Sequence, residues 1–143
     1  MIPIIVTGHG KFASSLKSTM EYIMGEQKNI HFIDFDNGMG DLELSKRIKE
    51  ILDKYEGDEV IFLTDIMGGT PFSTAVMISE NLPNYRVYSG CNMPMLIAAL
   101  DLAEDGTIDE IEGDILEFAR DGIMMFEKDD VQIRVIGNEN VGI

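Results

Sequence analysis

A histidine lies between two glycines, Gly8-His9-Gly10, directly after an apolar run over residues 2–6 that is typical of a buried strand. The glycines carry no side chain, so they leave the imidazole open to approach. The helix predicted to follow directs free N–H groups toward the same space, and such groups bind anions. An exposed imidazole beside an anion site can accept a phosphoryl group and donate it again, which is the chemistry that we predict for His9.

Asp65 follows another apolar run, residues 60–64, and is the candidate partner of that imidazole. A histidine attacks through an unprotonated nitrogen, and a carboxylate that accepts the proton of the other nitrogen fixes the tautomer. Asp65 would raise the basicity of the attacking nitrogen and stabilise the ring once it is phosphorylated. Taken alone, however, Asp65 is equally typical of a turn or a helix cap.

Gly68, Gly69 and Thr70 come shortly after Asp65 and are the candidate phosphate-binding residues. They would supply backbone N–H groups and a hydroxyl at the start of a helix, and glycines allow a close approach. Thr70 is predicted to cap that helix, with Pro71 as its first residue. Taken alone, this stretch is a tight turn followed by a capped helix.

Alternating strands and helices must position these residues. The strand patterns cover residues 2–7, 30–35, 60–64 and 85–89, and the helix patterns cover residues 12–24, 41–55, 70–82, 95–103 and 108–121. This order predicts an α/β fold, an open and mainly parallel sheet with helices on both faces. Ligands bind beyond the carboxyl ends of such strands, so His9, Asp65 and the loop at Gly90 are expected on one rim.

The tail changes character, because Val131, Ile133 and Val135 alternate with polar residues. Alternation of this kind predicts a half-exposed strand, which lies at a sheet edge or pairs with another chain. The preceding Met124-Met125-Phe126 is expected to belong to the core.

Length and composition limit the function. The chain has 143 residues, of which 45% are hydrophobic, as in one globular domain. The net charge of -15 argues against a nucleic-acid partner and fits either a basic protein partner or solubility alone. The single cysteine excludes an internal disulfide, and no membrane span or secretory signal is present, so a cytoplasmic location is expected.

The remaining reactive side chains are assigned no chemistry. His31 lies within a strand pattern and is expected to be solvated or half-buried, and Cys91 is interpreted as a small loop residue. Two histidines and one cysteine show no metal-ligand spacing, so neither a metal nor a cofactor is expected.

Three ordered motifs carry a resemblance to a known family. They are Val6-Thr7-Gly8-His9-Gly10, then Asp65 with Gly68-Gly69-Thr70-Pro71-Phe72, then Gly90 with Asn92-Met93-Pro94-Met95-Leu96. The chain resembles the enzyme IIA domain of the mannose family of the bacterial sugar phosphotransferase system, over nearly its whole length up to about Phe126. The resemblance implies one domain over residues 1–143, with a core over 1–126 and an edge strand and tail over 127–143.

The resemblance also implies a phosphotransferase that works through a phosphohistidine. The phosphocarrier protein HPr would phosphorylate His9 at Nε2, with Asp65 holding the imidazole. The phosphoryl group would then pass to a histidine of a separate IIB component, which serves the membrane components IIC and IID. The family forms homodimers that exchange one antiparallel strand, and residues 131–136, or the segment just before them, are the candidates for it.

Three other functions compete with this interpretation. A receiver-type domain would use Asp65 as acceptor, but it needs an acidic pair for magnesium where Gly8 and His9 stand. A binding module for a nucleotide or phosphometabolite lacks a P-loop or dinucleotide fingerprint. A related phosphohistidine carrier that feeds a dihydroxyacetone kinase would have the same fold and a different recipient.

Overall fold

The computed structural model describes residues 1–128, in which strands and helices alternate. The elements are β1 (Ile4–His9), α1 (Phe12–Met24), β2 (Ile30–Phe35), α2 (Asp41–Leu52), a 3-10 turn (Asp53–Tyr55), β3 (Val60–Thr64), α3 (Thr70–Ser79), β4 (Tyr85–Tyr88), α4 (Met93–Leu102) and α5 (Ile108–Asp121). The strand expected over residues 131–136 lies outside the described residues.

The four strands form one parallel sheet in the order β2-β1-β3-β4. The chain leaves β1 toward β2 on one side and later returns to place β3 on the other side of β1. The strand order therefore reverses between β1 and β3, which is where open α/β sheets bind their ligands. Helices cover both faces of this sheet, so the predicted fold class is confirmed.

Strand alternation divides the core into two layers. Ile4 and Val6 of β1 pack with buried residues of α1, α4 and α5 on one face of the sheet. Ile5 packs with buried residues of α2 and α3 on the other face. All five residues of β3 are buried, as expected for a central parallel strand covered on both sides. This double packing gives the carboxyl ends of β1 and β3 a rigid base.

The start of α3 differs from the prediction by one residue. Gly69 is the N-cap, Thr70 is the first helical residue and Pro71 follows it, with no side-chain hydrogen bond at the cap. The prediction that Thr70 caps this helix is therefore wrong. No N–H in the first turn of a helix has an intrahelical partner, so proline, which lacks an N–H, is tolerated there. The position of Pro71 alone therefore does not fix where the helix begins.

The segment after α5 differs from the expected core packing. Among the described residues 122–128 there is no helix or strand, and the side chains of Met125 and Phe126 are 74% and 63% exposed. The prediction that residues 124–126 belong to the core is wrong for the chain as the structure describes it. An apolar sequence indicates that a segment favours burial, but it does not identify the surface that covers it.

Within residues 1–128, no helix is both long enough and apolar enough to cross a lipid bilayer.

Candidate active site

His9 is the last residue of β1. Each of the two glycines beside it is required for a different structural reason. A side chain at Gly8 would come within 2.4 Å of Phe12 Cδ1, so only glycine lets the first residue of α1 pack against the strand. Gly10 has φ +57°, a conformation that favours glycine, and turns the chain into the helix. The His9 side chain remains 45% exposed at this turn.

Asp65 holds His9 through one carboxylate oxygen. The His9 backbone N–H donates to Oδ2 at 2.8 Å, and the ring nitrogen Nδ1 lies 2.7 Å from the same oxygen. Asp65 is only 12% exposed, so this contact is shielded from water. When Nδ1 carries the shared proton, Nε2 has a free electron pair and is the nucleophilic nitrogen of the ring.

The charge of Asp65 is set by these contacts. Burial by itself raises the pKa of the carboxyl group, but the hydrogen bonds from the His9 backbone and ring outweigh burial. The net result is that the pKa of Asp65 is lowered, so Asp65 is a carboxylate at neutral pH. An ionised acceptor favours the Nδ1–H tautomer and stabilises positive charge on the ring.

The N-terminus of α3 lies against the free edge of the imidazole. A Cβ atom at Gly69 would lie 2.5 Å from His9 Cε1 and 3.2 Å from Nε2. Gly68 has φ +85° and turns the chain so that this approach is possible. No side chain caps α3, and its first N–H groups have no intrahelical acceptor, which is typical of helix N-termini that bind anions.

One donor at the N-terminus of α1 is already bound by the chain itself. The Ser14 N–H, in the first turn of α1, donates to Asp34 Oδ1 at 2.9 Å. The chain's own carboxylate therefore occupies one first-turn donor of this helix, and an anion site at the start of α1 stays a prediction.

The carboxyl end of β2 also contacts His9. The Phe35 ring meets the imidazole edge-on, with 5.8 Å between ring centroids and 79° between planes. Neither Phe35 nor Asp34 has a role at the site in the sequence-based prediction. Only the pairing of β2 with β1, in which Gly8 lies beside Asp34 and His9 beside Phe35, brings them to the site.

The loop at Gly90 reaches the same rim, as predicted. The Gly90 backbone N–H donates to the Asp65 carbonyl at 2.9 Å, and the Cys91 N–H donates to the Thr64 carbonyl at 3.0 Å. Burial raises the pKa of the Cys91 thiol to about 12, so this cysteine is a protonated packing residue rather than a nucleophile.

His31 lies apart from this rim, near the beginning of β2. Its Nε2 pairs with the Tyr55 hydroxyl at 2.8 Å, and the residue is half-buried, as predicted. Burial, followed by the charge of Lys54, lowers the pKa of this histidine. In the part of the chain that the structure describes, no three His, Cys, Asp or Glu residues are grouped so that they could hold a metal ion.

Comparisons with known proteins identify the family of the chain. The family model for the mannose-type EIIA domain, described as "PTS system fructose IIA component", matches residues 3–116. The chain is 36% identical over 105 residues to the fructose-specific EIIA component of Bacillus subtilis. That match covers 73% of this chain and 72% of the Bacillus subtilis protein. It is 35% identical over 124 residues to the mannose-specific EIIAB component of Escherichia coli, covering 85% of this chain.

The chain spans only 38% of the length of that mannose-specific relative. Among solved structures, it resembles the phosphotransferase system component EIIA from Streptococcus agalactiae with a TM-score of 0.79 and 28% sequence identity. That similarity covers 88% of this chain and 98% of the other. The chain therefore belongs to the EIIA family of the sugar phosphotransferase system, of the mannose, fructose and sorbose type.

Proposed function

We propose that this chain is a cytoplasmic phosphocarrier in which His9 accepts a phosphoryl group at Nε2 from phosphorylated HPr. The group then passes to a histidine of a IIB component, which supplies the membrane components IIC and IID. The observation that carries this proposal is the 2.7 Å contact between His9 Nδ1 and Asp65 Oδ2, which leaves Nε2 as the nucleophilic nitrogen. The family of the chain supports the same role.

The proposed phosphoryl transfer requires neither a metal ion nor a general base. The Nε2 electron pair forms the new N–P bond while the N–P bond of the phosphohistidine in HPr breaks, and the electron pair of that bond returns to the donor imidazole. No proton leaves Nε2, because the neutral ring carries its proton on Nδ1. The phosphorylated ring gains positive charge, and the carboxylate of Asp65 stabilises it through the Nδ1–H bond.

The phosphoryl oxygens would bind at the start of α3. Gly68 and Gly69 would contribute backbone N–H groups, and Thr70 would contribute its N–H and its hydroxyl. The absence of a side-chain cap on α3 supports this assignment, since nothing in the helix competes for those donors. Pro71 has no N–H, so the donors come from the residues around it.

Mass spectrometry tests the proposal directly. After incubation with phosphoenolpyruvate, enzyme I and HPr, the full chain should gain the mass of one phosphoryl group, and peptide mapping should place it on His9. His9→Ala should gain nothing, whereas the control His31→Ala should be labelled like wild type. The label should be lost in acid and retained in base, as expected of phosphohistidine. Labelling of His9→Ala, or loss of the label in base, would refute the proposal.

We also propose that residues 1–143 form one EIIA domain that assembles as a homodimer. Among the described residues, β4 pairs only with β3, and a groove of about 690 Å³ runs between β4 and α5. The exposed Ile123 lines this groove. A second copy of the chain would cover this edge, with residues 131–136, or those just before them, as the exchanged strand.

Light scattering after size exclusion tests the dimer. Wild type and Tyr22→Glu should have the mass of two chains, because Tyr22 is exposed on α1 and lies outside the groove. Ile123→Glu should shift the mass toward one chain, since a carboxylate in an apolar interface is costly. A monomeric wild type, or an Ile123→Glu variant that remains dimeric, would contradict the proposed interface.

A further inference from the structure

The loop that carries His9 is held from the side of β2 by three contacts. The Gly10 N–H donates to the Phe35 carbonyl at 2.9 Å, and the Ser14 N–H donates to Asp34 Oδ1 at 2.9 Å. The Phe35 ring meets the His9 ring edge-on. Two consecutive residues of β2 thus contact the turn before α1, the first turn of α1 and the imidazole itself.

These contacts complement those of Asp65. β2 and β3 flank β1, so Asp65 and Phe35 reach the imidazole from two different neighbours of its own strand. A hydrogen bond to Nδ1 fixes one edge of the ring, but a half-exposed ring can still tilt about that bond. An aromatic ring packed perpendicular to the imidazole restricts this tilt. The position of Nε2 relative to α3 therefore depends on both contacts.

Asp34 acts on the backbone rather than on the ring. Its carboxylate binds a first-turn N–H of α1, where Lys11 is the N-cap and makes no side-chain hydrogen bond of its own. Asp34 therefore replaces the missing local cap with one from a neighbouring strand. This fixes the start of α1, three residues after His9, and so it limits movement of residues 8–11.

We propose that Asp34 and Phe35 are positioning residues for phosphoryl transfer, which together hold the His9 loop so that Nε2 faces the N-terminus of α3. The inference rests on the proposed phosphocarrier function and assigns it two residues. Neither residue touches the transferred group, since both act through His9 or its loop. A displacement of about 1 Å at the nucleophile is enough to slow a transfer by up to about a hundredfold.

Matched variants separate this role from stability. Asp34→Ala removes the acceptor for the Ser14 N–H, whereas Asp34→Asn keeps an oxygen at that position. Asp36→Ala removes a neighbouring exposed carboxylate as a control. Phe35→Leu removes the ring that contacts His9. Its control is Phe32→Leu, on the same strand but packed on the opposite face of the sheet.

Two measurements are made on the full chain, under conditions in which thermal unfolding shows every variant to be folded. The first is the single-turnover rate of phosphoryl transfer from phosphorylated HPr. We expect Asp34→Ala and Phe35→Leu to lose between about ten- and a hundredfold, and Asp34→Asn to stay within about twofold of wild type. Both controls should transfer at the wild-type rate.

The second measurement is ¹⁵N NMR of the His9 ring, which needs no phosphoryl donor. Wild type, Asp34→Asn and both controls should show one dominant tautomer with the proton on Nδ1. Phe35→Leu and Asp34→Ala should show a larger fraction with the proton on Nε2. A merely structural contribution to stability would leave this ratio unchanged.

The outcomes distinguish this inference from the proposed function. If wild type accepts no phosphoryl group, the proposed function fails, and the tautomer ratio still tests whether Asp34 and Phe35 hold the ring. If wild type is phosphorylated and Phe35→Leu matches Phe32→Leu in both measurements, the role of Phe35 is overturned. If Asp34→Asn loses as much as Asp34→Ala, the role of Asp34 as a hydrogen-bond acceptor is overturned.

Discussion

At the scale of single residues, the imidazole of His9 is positioned by atoms that surround it at short range. Asp65 binds Nδ1, the Phe35 ring packs perpendicular to the imidazole, and Gly69 leaves the space that a Cβ atom would fill. The glycine is as specific as the carboxylate, because any other residue at position 69 would occupy the space of the ring.

We predict that Gly69→Ala slows phosphorylation of His9 by about a hundredfold, because the new methyl group displaces the ring from the start of α3. Gly40→Ala is the matched control, since Gly40 is also a helix N-cap with an extended backbone and has open space around its Cβ position. Single-turnover transfer from phosphorylated HPr measures the effect. Equal rates for the two variants would show that the close approach does not matter.

Asp65 links the site to stability, and the sign follows from its pKa. Since the pKa is lower in the folded chain than in the unfolded one, the folded state binds fewer protons. The stabilisation is complete above the unfolded pKa and is lost as the pH falls through the folded value. We predict that the free energy of unfolding of wild type, relative to Asp65→Asn, decreases below about pH 4.

Urea unfolding of both proteins across acidic and neutral pH measures this difference. A difference that stays constant down to about pH 3 would show that the Asp65 carboxylate gains nothing from its contacts with His9.

At the scale of elements, Asn92 joins two helices beside the rim. Its side-chain oxygen accepts from the Met95 N–H at 2.9 Å and caps α4, while its Nδ2 donates to the Ala119 carbonyl near the end of α5 at 2.9 Å. Asn92 therefore satisfies one terminal donor and one terminal acceptor with a single side chain.

We predict that Asn92→Ala lowers the free energy of unfolding by about 2 kcal/mol, because it removes both hydrogen bonds. Asn92→Asp keeps the cap and loses the bond to Ala119, so its effect should be intermediate. Chemical denaturation of the three proteins gives the values. If Asn92→Asp and Asn92→Ala are equally unstable, the cap contributes nothing.

The sequence predicts which segments are helices and which are strands. It predicts the residues at which they begin and end less accurately. The apolar run of β3 predicted its boundaries because both faces of a central strand are buried. The predicted start of α3 differs from the observed start by one residue, because proline fits more than one position in the first turn of a helix. Local chemistry restricts such boundaries, and contacts with the rest of the fold select one.

At the scale of the whole molecule, the net charge of -15 predicts how partners approach. A basic donor would be attracted over distances beyond contact, and dissolved salt screens that attraction. We predict that kcat/KM for transfer from phosphorylated HPr falls by about tenfold between ~0.05 M and ~0.5 M salt, while kcat changes little. A kcat/KM independent of salt would contradict electrostatic recruitment.

The sequence by itself determined the α/β fold, the strands and helices that build it, and the rim that collects His9, Asp65 and the glycine turn. It did so because apolar periodicity and glycine positions are local properties of the chain, and parallel strands bring their carboxyl ends to one edge. Only the tertiary structure decided which helix N-terminus faces Nε2 and which residues hold the loop. Those choices depend on β3 and β2 lying on either side of β1, contacts between separate segments that no local pattern encodes.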